Sequence, residues 1–130
     1  MDGIILSLLN NAKMGTIRKF EDLEIWQLAR ELLNLIYNDF RNCKDFTFRN
    51  QIISAGLSIM NNIAEGFSRE SDKEFKQFLN ISKGSDGEVK SMYYVAEDQK
   101  YVTKEDAIGR RNMTDILMNK ITNFIFYLKK

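Results

Sequence analysis

Phe20-Glu21-Asp22-Leu23-Glu24-Ile25-Trp26-Gln27 opens a run in which Leu23, Trp26, Leu33, Ile36 and Phe40 recur at spacings of three, seven, three and four, with Ala29, Leu32 and Tyr37 widening the stripe. One side of an α-helix returns about every 3.6 residues, so this spacing predicts an amphipathic helix from Phe20 to Phe40. Glu21 and Asp22 stand at its start, where negative charge complements the helix dipole. Asn42 to Asp45 then read as a short polar connection.

The same period continues outward from that run. Phe48, Ile52, Ala55, Ile59 and Ile63 mark a second helix, with Gly66 placed to cap its C-terminus. Ser71-Asp72-Lys73-Glu74 sets a hydroxyl at an N-cap and a carboxylate three residues on, the pattern of a capping box. It starts a third helix carrying Phe75, Phe78, Leu79, Val89, Met92, Val95 and Ala96 inward. Thr103-Lys104-Glu105-Asp106 repeats the device in looser form ahead of a fourth, with Ala107, Ile116, Leu117, Ile121, Phe124, Ile125 and Leu128. Four amphipathic helices joined by short links predict an all-α, antiparallel up-down-up-down four-helix bundle. Residues 14–130 read as a single domain. Residues 1–13 fit poorly with it and read as an N-terminal extension upstream of a native start at Met14-Gly15, or as a short extra helix. In the second reading Ile4, Ile5, Leu6, Leu8 and Leu9 would cover an apolar patch on a neighbouring subunit.

Composition narrows the chemistry. The 130 residues include no histidine, one cysteine and no proline, and Lys+Arg 19 against Asp+Glu 18 gives a net charge of +1. Without histidine there is no Ser-His-Asp or Cys-His nucleophile pair, no His-containing zinc site and no Glu-x-x-His di-iron motif. A lone cysteine forms no intrachain disulfide and suits a reducing compartment. Near-neutral charge means that any nucleic-acid site must be local rather than a property of the whole surface. The apolar stretch Ile4 to Leu9 is far shorter than the roughly 20 residues of a spanning helix, and no basic residue precedes it as in a signal peptide. The expectation is a cytoplasmic protein without catalytic activity, cofactor, metal, small-molecule substrate or membrane contact.

Four features carry competing readings. Glu65 and Glu88 sit among small residues and are the carboxylates expected nearest the core, as a paired site or as partners of groups near Ser58 and Ser85. Gly84-Ser85-Asp86-Gly87 interrupts a helix with two glycines, each costing roughly 1 kcal/mol against alanine, which close approach of another helix would offset. A phosphate-cradling loop there lacks both the preceding strand and the Gly-Lys-Ser/Thr ending. Adjacent Asn61 and Asn62 suggest an amide with a specific partner across the bundle or at the next turn. Lys76, Lys83 and Lys90 repeat every seven residues on one face, with Arg69 and Lys73 leading in, and such a stripe can meet a phosphate backbone. The plainer reading is a solvated face in which Asp86 pairs with Lys83 and Lys90. Arg110-Arg111 and Lys129-Lys130 add local charge without a motif, and Cys43 lies in a polar loop.

Phe20 to Gln27, then Gln51, Ser58, Asn62-Ile63-Ala64-Glu65-Gly66, Ser71, Phe75, Phe78-Leu79, Gly84-Ser85 and Glu88 together resemble the bacterial four-helix-bundle family also called the 23S rRNA intervening-sequence protein family. The likeness spans about residues 19–128. It implies an up-down bundle assembled as a ring of five subunits, encoded within ribosomal RNA intervening sequences or elsewhere in bacterial genomes, with no enzymatic activity. A related branch, the accessory variability determinant of diversity-generating retroelements, assists a reverse transcriptase and binds nucleic acid through a basic barrel. This chain departs from that branch in its near-neutral charge. By the resemblance Asn62, Glu65, Gly66, Gly84, Ser85 and Glu88 are signature positions, read as structural.

Two functions therefore stand open. One is an RNA- or ribonucleoprotein-associated accessory protein acting as a homopentamer, with Arg69, Lys73, Lys76, Lys83 and Lys90 as its nucleic-acid contacts. The other is a protein-interaction scaffold without nucleic-acid contact, in which Trp26, Tyr93, Tyr94, Tyr101 and Tyr127 line subunit contacts.

Overall fold

The computed structural model describes residues 17–128. The expectations for residues 1–13, for the start at Met14 and for Lys129-Lys130 lie outside them. Phe20–Asp22 form a single 3-10 turn, followed by α1 (Glu24–Phe40), α2 (Phe46–Phe67), α3 (Asp72–Asp98) and α4 (Lys104–Leu128). The first α-helix thus begins four residues later than the periodicity predicts. Leu23 is extended at φ −74°, ψ 127°, and separates the turn from α1. Glu21 and Asp22 sit in the turn, where Gln27 Nε2 donates to the Glu21 carbonyl at 2.9 Å and Phe20 meets Trp26 edge-on at 5.1 Å.

Caps define the other starts. Asp45 accepts from the Phe48 N–H at 3.1 Å, Ser71 from the Glu74 N–H at 3.2 Å, and Thr103 from the Asp106 N–H at 3.1 Å. The end of α3 is closed by two backbone bonds, Lys100 N–H to Glu97 O at 3.0 Å and Tyr101 N–H to Ala96 O at 2.8 Å. This closure holds Lys100 at φ 60°, a position where glycine is the usual occupant.

Contacts between distant residues show that neighbouring helices run antiparallel. Asp39 at the end of α1 meets Arg110 at the start of α4, and Glu24 at the start of α1 meets Lys120 near the end of α4. Arg111 reaches back to Glu97 on α3, and Phe75 packs on Phe124 at 5.6 Å. The α2–α3 seam is the most extensive, followed by α3–α4 and α1–α2, while α1–α4 is the thinnest. All four helices feed one core, in which Ile25, Leu32, Ile36, Phe40, Ile52, Ile59, Ile63, Leu79, Tyr93, Leu117 and Ile121 are fully buried. Each buried Leu or Ile contributes roughly 1.5–3 kcal/mol over its exposed state. Among the described residues no helix is long and apolar enough to cross a membrane.

Several expected inward residues point outward. Tyr37, Val95 and Ile116 are exposed, because each lies at the edge of its stripe beyond the reach of a neighbouring helix. Conversely, Trp26 and Tyr93 belong to the core rather than to a surplus available for subunit contacts. Tyr101 and Tyr127 are half-buried against Phe48 and Phe124, which leaves Tyr94 exposed.

Glycine also departs from expectation. Gly66 lies inside the last turn of α2 and is not its C-terminal cap: a Cβ there would stand 2.7 Å from Phe78 Cβ and 2.8 Å from the Phe75 ring. Gly84 and Gly87 show the reverse, since a Cβ at either meets nothing within 4 Å, so no helix among the described residues approaches them. The two kinds of glycine should respond oppositely to alanine. In urea unfolding, Gly66→Ala is expected to lose about 1–3 kcal/mol through overpacking, and Gly84→Ala to gain about 0.5–1 kcal/mol in helix propensity.

Candidate functional site

The cationic stripe begins just before α3. Arg69, in the turn after α2, pairs with Glu65 and lays its guanidinium 4.8 Å over the Phe78 ring. Lys90 pairs with Asp115 of α4 at 2.8 Å, a hydrogen bond that raises its pKa. Lys73 is exposed and Lys76 and Lys83 half-buried, and none of the three joins an ion pair among the described residues. The five predicted contacts therefore form a stripe that is engaged at both ends and open in the middle.

Asp86 does not pair with Lys83 and Lys90 on the surface. It turns inward, 1% exposed, with its Oδ1 buried and unpartnered. Burial pushes its pKa up to about 8, the Asp115 charge adds to this, and Lys90 opposes it. At neutral pH the group is therefore mostly protonated. Glu65 and Glu88, expected near the core, are both exposed: Glu65 holds Arg69, and Glu88 accepts from Gln51 Nε2. The buried carboxylate lies on α3 two residues before Glu88, while Glu65 is on α2, and periodicity read from the flanking small residues does not single out Asp86.

The other signature positions gather on the α2–α3 seam. Asn62 bonds back to its own helix rather than across the bundle, with Nδ2 donating to Ser58 O at 2.8 Å and to Ser58 Oγ at 3.1 Å. Ser58 carries the link onward to Ser85 Oγ at 2.7 Å, and Ser82 Oγ donates to Ile59 O at 2.9 Å nearby. Glu65, Gly66 and Glu88 flank this chain, while Gly84 faces open space.

At the opposite end, the structure assembles a network that the sequence did not suggest. Arg110 donates through Nε and Nη2 to the two oxygens of Asp39 at 2.8 and 2.9 Å, and Tyr93 Oη donates to the same carboxylate at 2.7 Å. Burial, then the bond to Asp39, raises the Tyr93 pKa, and the same carboxylate raises that of Arg110. Arg111 bonds Glu97 at 2.8 Å and sits 4.0 Å over Tyr94. Both arginines are thus neutralised within the bundle. Asp39 and Arg110 lie 71 residues apart, so no local pattern exposes the pair. Asp45 joins the two loops at this end by accepting from Tyr101 Oη at 2.6 Å, which lowers its pKa, with the Phe48 N–H adding to the effect. Cys43 is a half-buried free thiol in the same loop. Among the described residues no group of three or more His, Cys, Asp or Glu side chains could hold a metal ion.

Fold and site together define an all-α protein of four described helices with a hydrogen-bonded polar seam between α2 and α3. The chain belongs to the 23S rRNA-intervening sequence protein family, whose sequence model matches residues 21–123. Its fold is similar to the crystal structure of a protein of unknown function from the S23 ribosomal protein family of Bacteroides thetaiotaomicron, at 24% identity and a TM-score of 0.68. That match covers 78% of this chain and 94% of the other. No curated protein matches the chain.

The inverted carboxylate makes a pH prediction. A carboxyl whose folded pKa is about 8 against an ordinary 3.8 contributes stability that is complete below 3.8 and is lost as pH rises to about 8. Each pH unit inside that window is worth up to about 1.4 kcal/mol. The melting temperature of Asp86→Asn relative to the unsubstituted protein should therefore climb steadily across the window. Parallel profiles would show that Asp86 does not titrate there.

Proposed function

We propose that the protein is a non-enzymatic, cytoplasmic accessory protein that associates with RNA or a ribonucleoprotein as a ring-shaped homo-oligomer, five copies being the number that the family resemblance implies. The observation that carries the reading is the open middle of the α3 stripe. Lys73, Lys76 and Lys83 hold three positive charges on one side of a helix, and no described carboxylate pairs with them. Family membership supplies the connection to ribosomal RNA. A patch of three lysines binds weakly alone, but copies on one assembly act together through effective concentration.

Self-association draws support from the outward sides of α3 and α4. Ile81, Tyr94 and Val95 on α3 and Ile108 and Ile116 on α4 are exposed, with Gly84, Gly87 and Gly109 between them presenting bare backbone. Bare backbone allows another helix to come close. A homo-oligomer seated there would lose affinity for itself in the doubly substituted Gly84→Leu, Ile116→Asp protein. Light scattering should then report smaller particles with unchanged helical content, whereas an unchanged mass would place the interface elsewhere.

RNA association has its own test. The logarithm of the binding constant for single-stranded RNA should fall linearly with log salt, by about 0.7 per phosphate contacted. Charge reversal at Lys73, Lys76 and Lys83 should abolish binding and leave the fold intact. A protein that binds no RNA at low salt would instead fit the second reading, a protein-interaction scaffold, which the net charge of +1 and the engagement of Arg69 and Lys90 favour.

A further inference from the structure

Asn34, Tyr37 and Asn38 on α1 and Arg41 at its C-cap are spaced three, one and three residues apart, which places them on one face. All four are exposed. Arg49 rises beside them from the first turns of α2, and the five side chains line an open cleft of about 600 Å3, within the usual range of small-molecule sites. Among the described residues no carboxylate lines it. The neighbouring Asp39 is held on the other side of α1 by Arg110 and Tyr93. Neither Arg41 nor Arg49 joins an ion pair among the described residues, and Arg49 Nε is buried without a hydrogen-bond partner.

This is a different surface from the α3 lysines and a different chemistry. Lysines offer point charges that track a backbone, whereas two guanidinium groups offer planar forks matched to the oxygens of one phosphate. Tyr37, 41% exposed, adds a ring at the same cleft on which a base can stack. The Asn34 and Asn38 amides each present a donor and an acceptor suited to a base edge or a sugar hydroxyl.

We propose that the α1–α2 cleft is a nucleotide site, with the phosphate on Arg41 and Arg49 and the base against Tyr37. The nucleotide is either free or one unit of a single-stranded RNA. For the RNA source the inference rests on the function proposed above, and for the free nucleotide it rests on the cleft alone.

The test follows the arginine side-chain N–H resonances of the full chain by nuclear magnetic resonance during titration with inorganic phosphate, adenosine monophosphate and a mixed-sequence oligoribonucleotide. The Arg49 Nε–H resonance should move with the nucleotide more than with phosphate. Arg41→Ala and Arg49→Ala should each weaken binding roughly tenfold or more, and Arg49→Lys, which keeps the charge and the fold, should not restore it. Tyr37→Ala, but not Tyr37→Phe, should remove the preference for nucleotide over phosphate. A response to the mononucleotide identifies the free ligand, and a response to the oligoribonucleotide alone identifies a strand. An Arg49 resonance unmoved by all three ligands overturns the inference. If RNA still binds in that case, equally well to both arginine variants, the RNA function survives without this cleft. A mononucleotide response without RNA binding keeps the cleft and removes the RNA function. Equal responses to phosphate and nucleotide that are insensitive to Tyr37→Ala overturn the nucleotide assignment.

Discussion

A Cβ at residue 66 would fall 2.7 Å from that of Phe78 and 3.3 Å from the Phe75 carbonyl, so α2 can lie against the start of α3 only while that position is glycine. The obstacle is backbone and Cβ, which do not yield as a side-chain tip does. From this contact the rest of the seam takes its register. Ser82 reaches the Ile59 carbonyl and Ser85 reaches Ser58 because the two helix axes are held close along their length. Gly56 performs a gentler version of the same task against α1, where the Ile36 and Leu33 methyl groups stand 2.9 and 3.1 Å from its ideal Cβ. α2 therefore meets α3 near its C-terminal end and α1 at its middle through missing side chains.

The thinnest seam, α1 against α4, is held differently. Glu24 and Lys120 join one end, and Asp39, Arg110 and Tyr93 join the other. Buried ion pairs add little net stability over well-packed apolar residues of the same size, but losing one partner leaves an uncompensated charge. Such pairs tolerate little sliding, so two of them at the two ends fix where α4 stops along α1. Away from that seam, Lys90 engages Asp115, and Asp86 sits in the core with an oxygen that no donor among the described residues reaches.

Much of this architecture is legible along the chain. The stripes of α1 to α4 and the caps at Ser71 and Thr103 follow from local spacing, because a helix and its cap involve residues within about four of one another. The carboxylates were harder. Glu65, Asp86 and Glu88 all lie on helices among small residues, and only the angular position of each around its helix, set by which neighbours it packs on, decides that Asp86 is inside. The glycines were equally ambiguous. Gly66 has the local appearance of a terminator, and Gly84 and Gly87 that of a close approach, yet the packing inverts both assignments.

Residue type and contacts a turn apart were enough to specify four helices, their order, the caps at Ser71 and Thr103, and the absence of histidine chemistry. What only the tertiary structure decided was partnership. Asp39 meets Arg110 across 71 residues, and Lys120 meets Glu24 across 96. Arg41 and Arg49 come to face one cleft, while Lys73, Lys76 and Lys83 on another face join no ion pair among the described residues. Charge carries no memory of its partner along a chain. Whether an arginine is neutralised in a bundle or offered to a ligand is settled when the helices dock and bring carboxylates within reach of some cations and not of others.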